Sequence, residues 1–356
     1  MTTTTPPGTT TAEGAAMLRA LELAARGVRG ANPLVGAVLL APDGAVLGEG
    51  YHRGAGTPHA EPAALADARA HGHDPRGTTL VVTLEPCNHT GRTGPCSEAV
   101  LAAGGGRVAY AADDVNGPAA GGAQPLEAAG VQCVRGLHAE RSRRLNERWT
   151  RCLAEQRPFV TLKSAQSLDG RVAASDGSSR WITGDDARAD GHRIRALADA
   201  VLVGTGTVLA DDPRLTARPR SGEDTGPGPG SGPLRVVMGH TPVPADAAIR
   251  GEGFLRFITR DVTEVLGELH GRGVRHLLVE GGPRIASAFL RAGVVDEVFS
   301  YVAPVLLGDG APAFPDLGVG TLADAPRWEL DDAGGPAVVR LGPDVRLHLR
   351  PSSTAP

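Results

Sequence analysis

Read for the spacing of its apolar positions, the chain switches between helical and strand periods along most of its length. Leu18, Leu21 and Ala25 share one face of a helix predicted from Gly14 to about Arg26, with Gly27 and Gly30 punctuating its end. Val35–Leu40 and Ala45–Gly48 meet across Pro42-Asp43-Gly44 and read as a hairpin. A helix over Ala60–Ala70, a strand over Thr79–Leu84, a helix over Ser97–Ala103 and a strand over Arg107–Ala111 follow. A helix near Pro125–Ala129 and a strand over Val131–Val134 complete the set. Alternation of this kind predicts an α/β sandwich. The charged helical run Glu140–Arg151 reads as a connector, and a second α/β unit opens at Pro158. Its strands are predicted over Phe159–Ala165, Ala200–Gly204, Leu234–Met238, Arg275–Glu280, Tyr301–Leu307 and Val345–Leu349. Helices are predicted over Ala187–Leu197 and, after Gly281-Gly282-Pro283, up to Ala292.

Two segments break the pattern. Residues 1–12 are rich in Thr and Pro without a period, and are expected to form a disordered tail. Residues 219–233 are so dense in Pro and Gly that they cannot pack, and read as a flexible insertion because a strand resumes at Leu234. The expected domains are therefore 13–150 and 157–350, in line with the roughly two domains that 356 residues imply.

Composition narrows the class. Hydrophobic content of 41% and charged content of 21% fit a soluble globular protein, and a formal charge of −4 speaks against a non-specific nucleic-acid binder. No apolar run approaches the ~18–20 residues of a membrane span, and the N-terminus lacks a secretory pattern, so a cytoplasmic protein is expected. Four cysteines in a chain this long do not make a disulfide framework. Lys163 is the only lysine.

The chemistry concentrates between His59 and Cys96. His59-Ala60-Glu61 precedes a helix, and Pro86-Cys87 and Cys96 follow the next strand. One imidazole and two thiolates are the three protein ligands of a catalytic zinc, with the fourth position left to water. Glu61 stands where zinc deaminases keep a glutamate that moves protons without touching the metal. A zinc held by His59, Cys87 and Cys96 lowers the pKa of bound water from 15.7 toward ~7. Glu61 then carries the proton to the departing nitrogen, so that ammonia leaves. A structural zinc is the competing reading, with His89 as the one nearby fourth ligand.

The cysteines are separated by eight residues, Asn88-His89-Thr90-Gly91-Arg92-Thr93-Gly94-Pro95, where generic nucleoside deaminases have two. With Asn32-Pro33-Leu34-Val35-Gly36 and Gly50-Tyr51-His52, this filling resembles the deaminase half of the bifunctional riboflavin-biosynthesis deaminase–reductases, the RibD/RibG family. The resemblance implies a cytidine-deaminase-like α/β/α sandwich in which Asn32, His52, His89 and Arg92 contact a phosphorylated pyrimidine.

From its residues alone, the second half shows glycine-rich turns after strands but no dinucleotide fingerprint. Gly204-Thr205-Gly206-Thr207 is a weak signal. Glu280-Gly281-Gly282-Pro283, between a strand and a helix N-terminus, suits a phosphate better. Thr161-Leu162-Lys163, Ser167-Leu168-Asp169-Gly170-Arg171, Trp181-Ile182-Thr183, Val208 to Pro213 and Val279 to Pro283 resemble the reductase half of the same family. That resemblance implies a dihydrofolate-reductase-like α/β domain that uses NADPH. It places Ala165, Trp181, Thr207, Asp211, Gly281 and Gly282 at the cofactor. Ser179, Arg195, Leu215 and Arg218 fall at substrate positions, with Lys163 and Glu280 beside the ribose. Gln166, Gly191 and Met238-Gly239-His240 depart from the family pattern. The family's reductase halves usually pair, so a homo-oligomer through this domain is expected, with neither nucleic acid nor membrane as partner. The expected reactions are hydrolysis of an amino group from a diamino-ribosylamino-pyrimidinone 5′-phosphate and NADPH-dependent reduction of its ribosyl group. The alternatives are a nucleoside or tRNA deaminase with a degenerate partner domain, a relative serving a specialised flavin-like pathway, and a non-catalytic zinc-stabilised module.

Overall fold

A computed structural model of the chain describes residues 6–28, 32–54, 56–89, 94–117, 119–217, 232–333 and 335–352. The chain divides into two units, Met1–Ala154 and Glu155–Pro356. Among the described residues no helix is long and apolar enough to cross a membrane.

The first helix, α1 (Thr11–Ala24), starts inside the segment expected to be disordered. The reason is a capping box that the apolar spacing does not reveal. The Thr10 side chain accepts from the Glu13 amide at 3.1 Å, and the Glu13 carboxylate accepts from the Thr10 amide at 2.7 Å. Residues 1–5 of that segment lie outside the described residues. The unit continues with β1 (Gly36–Leu40), β2 (Val46–Tyr51), α2 (Ala60–Ala70), β3 (Thr79–Leu84), α3 (Cys96–Ala102), β4 (Arg107–Ala112), α4 (Ala123–Ala128) and β5 (Gln132–Arg135). The sheet order is β2-β1-β3-β4-β5, antiparallel around β1 and parallel from β3 onward. Every residue of β1 is buried because helices cover both faces of the sheet. Val38 and Leu40 pack with Met17, Ala20 and Leu23 of α1, while Ala37 and Leu39 pack with Ala60, Ala64 and Leu65 of α2.

A seam of small residues sets the depth of α2. Ala60, Ala64 and Ala68 recur every four residues and face Gly48 and Gly50 of β2. A Cβ at Gly50 would lie 2.5 Å from the Ala60 carbonyl oxygen, and one at Gly48 would lie 2.5 Å from that of Ala64. The helix that begins at His59 and Glu61 is thus drawn against the sheet by backbone contact.

The run read as a connector belongs to this packing. It forms α5 (Ala139–Leu145) and α6 (Glu147–Glu155), interrupted at Asn146. The Asn146 side chain accepts from the Leu34 amide at 2.7 Å and donates to the Leu34 carbonyl at 2.9 Å. The Ser142 hydroxyl donates to the Thr83 carbonyl. Buried polar groups need partners, and these two residues find theirs on the backbone of β3 and of the segment leading into β1.

The second unit contains β6 (Phe159–Ser167), β7 (Arg171–Ala173), α7 (Asp185–Ala196), β8 (Ala200–Gly204), α8 (Thr205–Asp211), β9 (Leu234–Met238), β10 (Phe254–Phe257) and α9 (Val262–Gly271). After these come β11 (His276–Val279), α10 (Pro283–Arg291), β12 (Glu297–Ala303), β13 (Ala311–Pro312), β14 (Trp328–Leu330), β15 (Val338–Leu341) and β16 (Asp344–Pro351). The main sheet runs β10-β9-β8-β11-β6-β12-β16-β14, with β15 also paired to β16, and is parallel from β10 to β12. Parallel order places the loops after β8 and β11 at one edge, where open α/β sheets bind ligands. The Gly204–Thr207 turn is in fact the start of α8. The strand expected over Tyr301–Leu307 instead occupies Glu297–Ala303, and β7, α8, β10, α9, β13, β14 and β15 have no counterpart among the expected elements. Residues 219–231 of the expected insertion lie outside the described residues.

The Ser167 to Arg171 motif has a structural role here. Asp169 accepts from the Leu307 and Gly308 amides at 3.1 and 2.7 Å and from the Ser167 hydroxyl. It ties the β6–β7 turn to the segment after β12.

Gly50→Ala should lower the stability of the N-terminal unit by about 1–3 kcal/mol, because α2 must move off the sheet to admit the methyl group. The urea midpoint measures it; an unchanged midpoint would show that the seam does not set the helix position.

Candidate active sites

His59 is the N-cap residue of α2, and Glu61 lies in its first turn. Cys87 follows β3, and Cys96 is the first residue of α3. Two helix starts and a strand end therefore converge. His59 Nδ1 lies 3.6 Å from Cys87 Sγ and 3.2 Å from Cys96 Sγ, and the three ligand atoms fall within 4.8 Å of one another. Tetrahedral zinc, with bonds of about 2.3 Å to sulfur and 2.0–2.1 Å to nitrogen, sets N···S separations of roughly 3.5 Å. The donor set and its spacing fit zinc, and among the described residues no other cluster of three such ligands occurs.

The loop carrying Cys87 is held from below. Glu85 is buried and accepts from the amides of Asp114 and Ala123 at 3.3 and 3.2 Å. The Asn88 amide donates to the Ala119 carbonyl at 2.9 Å, and Gly122 packs so closely on Pro86 that a side chain there would meet its carbonyl oxygen. The Cys96 amide donates to Cys87 Sγ at 3.4 Å, a backbone donor that favours a thiolate. The hydrogen bond between the two cysteines draws the Cys87 thiol well below its usual range and pushes that of Cys96 up. Glu61 is 3% exposed, and burial pushes its carboxyl up to about 7.

His52 and Asn32 come together beside this cluster. The His52 ring sits edge-on to that of His59, with centroids 5.3 Å apart. Its Nδ1 lies 3.1 Å from the Pro58 carbonyl, which can only accept, so Nδ1 carries the proton. Burial holds His52 below its usual range and hence neutral, so Nε2 accepts from the Asn32 amide at 2.9 Å. His89 Nδ1 is buried without a hydrogen-bond partner among the described residues, as a group reserved for a ligand would be. Arg92 lies outside the described residues.

In the second unit Lys163, Arg195 and Glu280 converge from β6, α7 and the end of β11. Glu280 takes both arms of Arg195, Nε and Nη2 each donating at 2.8 Å, and lies 3.8 Å from Lys163 Nζ. Arg195 Nη1 donates to the Thr216 carbonyl at 2.9 Å. The guanidinium expected at a substrate phosphate thus faces a carboxylate, and Arg218, expected beside it, lies outside the described residues. Burial alone would push the Glu280 carboxyl up, but Arg195 and Lys163 outweigh it and hold it at about 2.

The remaining expected positions surround this triad unevenly. Ala165 lies two residues along β6 from Lys163 and so on the same face. Gly282 caps α10, and its amide donates to Thr207 Oγ1 at 3.2 Å. Gly281 has a packing reason as well, since a Cβ there would meet Ile285 at 2.5 Å. Trp181 is exposed with the Arg188 guanidinium 4.6 Å from its ring centroid, and both line a cavity of about 400 Å³ that runs to Pro304 and Asp344. Asp211 ends α8 and pairs with Arg180 at 3.4 Å, while Ser179, next in sequence to Arg180, is half-buried. Leu215 is buried in a left-handed backbone conformation, φ 50°, uncommon for a branched side chain. Sequence reasoning missed Asp190 and Arg346, which join Tyr301 in a buried cluster beneath Lys163.

Each half of the chain matches a known family. Residues 10–112 match the family described as the cytidine and deoxycytidylate deaminase zinc-binding region, and residues 158–334 match the RibD C-terminal domain. The riboflavin biosynthesis protein RibD of Mycobacterium tuberculosis is 46% identical over 322 residues, covering 89% of this chain and 91% of that protein. Acinetobacter baumannii RibD superposes with a TM-score of 0.86 at 34% identity, covering 96% of this chain and 99% of that one. The Thermotoga maritima structure described as a diaminohydroxyphosphoribosylaminopyrimidine deaminase and 5-amino-6-(5-phosphoribosylamino)uracil reductase superposes with a TM-score of 0.82 at 32% identity over the same shares. Fold and sites define a zinc-dependent deaminase joined to a reductase. The chain belongs to the RibD family, the bifunctional deaminase–reductases of riboflavin biosynthesis.

The Glu280 ion pair makes a pH-dependent prediction. A carboxyl held near 2 against an ordinary 4.5 adds stability that is complete above the ordinary value and is lost as pH falls between the two. Arg195→Met should destabilise the C-terminal unit by about 3–5 kcal/mol at neutral pH by leaving a buried carboxylate without its main partner. Its loss on going to pH of about 3 should be smaller than in the wild type, since Glu280 is then more readily protonated. Urea midpoints at the two pH values test this; equal acid sensitivity in both proteins would show that the pair does not depress Glu280.

Proposed function

We propose that the N-terminal unit hydrolyses the 2-amino group from 2,5-diamino-6-ribosylamino-4(3H)-pyrimidinone 5′-phosphate and that the C-terminal unit reduces the ribosyl group of the product to ribityl with NADPH. The observation that carries the first step is His59 Nδ1 set 3.2–3.6 Å from two cysteine sulfurs, with a buried glutamate in the same helical turn. Zinc bound there supplies the Lewis acidity that makes water a nucleophile at neutral pH. Glu61, buried and poised to bind or release a proton, takes the proton of the attacking water and delivers it to the departing nitrogen. The α2 and α3 N-termini direct their positive dipole ends at the charge that builds on the ring. Asn32 and His89 offer hydrogen bonds to the pyrimidine, with Arg92 on the phosphate. His52, with both ring nitrogens engaged in the fold, orients Asn32.

In the C-terminal unit NADPH, when bound, supplies the hydride. The α10 N-terminus after Gly281-Gly282, which has no side-chain cap, suits its phosphates, and the exposed Trp181 indole lining the cavity suits a stacked ring. Ala165, Thr207 and Asp211 complete the cofactor side, and Ser179, Leu215 and Arg218 the substrate side. Lys163 faces the sugar. Glu280 holds both cations but offsets only one of their two charges, so an incoming phosphorylated substrate meets a fixed array that is still net positive. Exposed Leu168, Val305 and Leu306, joined by the Leu168 amide donating to the Val305 carbonyl at 2.9 Å, give this unit an apolar surface suited to a homo-oligomer in the cytoplasm.

Glu61→Gln should retain zinc yet cut ammonia release at least about 10²–10⁴-fold, while reduction of the deaminated substrate stays at the wild-type rate. Metal content and the two half-reactions measure it. Surviving deamination would remove Glu61 from the proton path, and lost zinc would make it a structural residue.

A further inference from the structure

Lys163 has a long, flexible stem, yet its ammonium sits at a defined point. Glu280 lies 3.8 Å away on one side, and on another Nζ lies over the Tyr301 ring, 5.6 Å from the centroid. The stem passes Gly191 of α7, where a Cβ would be 3.4 Å from Lys163 Cε. Tyr301 itself is fully buried on β12, opposite Ala165 of β6 in the strand register. Its hydroxyl donates to Asp190 Oδ2 at 2.7 Å. Asp190 is buried on α7 one residue before Gly191, and accepts from Arg346 Nη1 at 3.0 Å and from Arg193. The hydroxyl bond therefore fixes the ring plane and pins α7, which carries both Gly191 and Arg195, to the sheet.

We propose that Tyr301 is the positioning residue of the reductase site: its ring bears the Lys163 ammonium, and its bond to Asp190 holds that ring and α7 in register with Glu280. This rests on the reading of Lys163 as a substrate contact. An ammonium over an aromatic face is attracted by the ring quadrupole, and the attraction strengthens when water is excluded. Glu280 alone would leave the ammonium free to swing about the carboxylate. With the ring beneath it, the amine is confined between the Glu280 carboxylate and the Tyr301 face. Gly191 is part of the same device, because a larger side chain would press on the stem.

Because Lys163 is the sole lysine, protein grown on [ε-13C]lysine gives one lysine resonance, which reports its surroundings without any activity. In the full-length wild type that resonance should be shifted upfield of free lysine by the Tyr301 ring current. Tyr301→Phe, which keeps the ring but removes the bond to Asp190, should reduce the shift without abolishing it. Tyr301→Leu should return it to the free value and lower the reductase kcat about tenfold, with the KM for NADPH unchanged. A wild-type resonance at the free-lysine position would overturn the geometry even if Tyr301→Leu does not fold. A lost shift with undiminished kcat in Tyr301→Leu would overturn the positioning role. The lysine resonance reads this geometry whether or not Lys163 touches substrate, so a failed geometry and a failed substrate-contact reading give different results.

Discussion

Burying a carboxylate is costly unless the fold compensates its charge, and each unit of this protein buries one at its proposed site. The two are treated oppositely. Glu61 lies buried in the first turn of a helix beside His59 and the two cysteines, and burial pushes it up to about 7, within reach of both protonation states. Glu280 receives both arms of Arg195 and the charge of Lys163, and is held at about 2, a permanent anion. The first arrangement suits a group that carries a proton, the second a group that only orients cations. On the proposed reading, one chain runs hydrolysis and reduction with the same side-chain type in two environments.

The rest of each unit serves those placements. In the N-terminal unit the Gly48–Gly50 seam lets α2 approach the sheet by backbone contact, which brings His59 and Glu61 to the end of β3 where Cys87 emerges. Glu85, Asn88 and Gly122 brace the Cys87 loop from the segment after β4. In the C-terminal unit β6 lies between β11 and β12, so Lys163 is flanked by Glu280 from one neighbour and Tyr301 from the other. Alignment of parallel strands supplies coarse positions, and buried polar contacts such as Tyr301 to Asp190 supply the fine ones.

The zinc site was legible because its signal is local: His59-Ala60-Glu61 before a helix and Pro86-Cys87 after a strand name both residue types and their elements. Most helices and strands were legible from apolar periods, and so was α9 in principle, since Val262, Val265, Leu266 and Leu269 repeat at helical spacing behind an Asp261 cap that went unread. The capping box at Thr10 and the role of Asn146 were not, because polar partners do not alter an apolar period. The Glu280 pairs span 85 residues to Arg195, and Tyr301 reaches Asp190 across 111, separations at which partner choice is a property of the folded sheet. The glycines at 281 and 282 were read as making room for phosphate. Gly281 is also required by Ile285, so its presence alone does not announce a ligand.

On the proposed reading the two reactions use separate sites on one chain, and zinc is needed only for the first. The most direct measurement follows ammonia and NADPH together, with and without a zinc chelator, on the diamino substrate and on its deaminated product. The chelator should stop ammonia release, and with it NADPH oxidation on the diamino substrate, while NADPH oxidation on the deaminated product continues at full rate. Equal loss of NADPH oxidation on both substrates, or ammonia release that survives zinc removal, would contradict it.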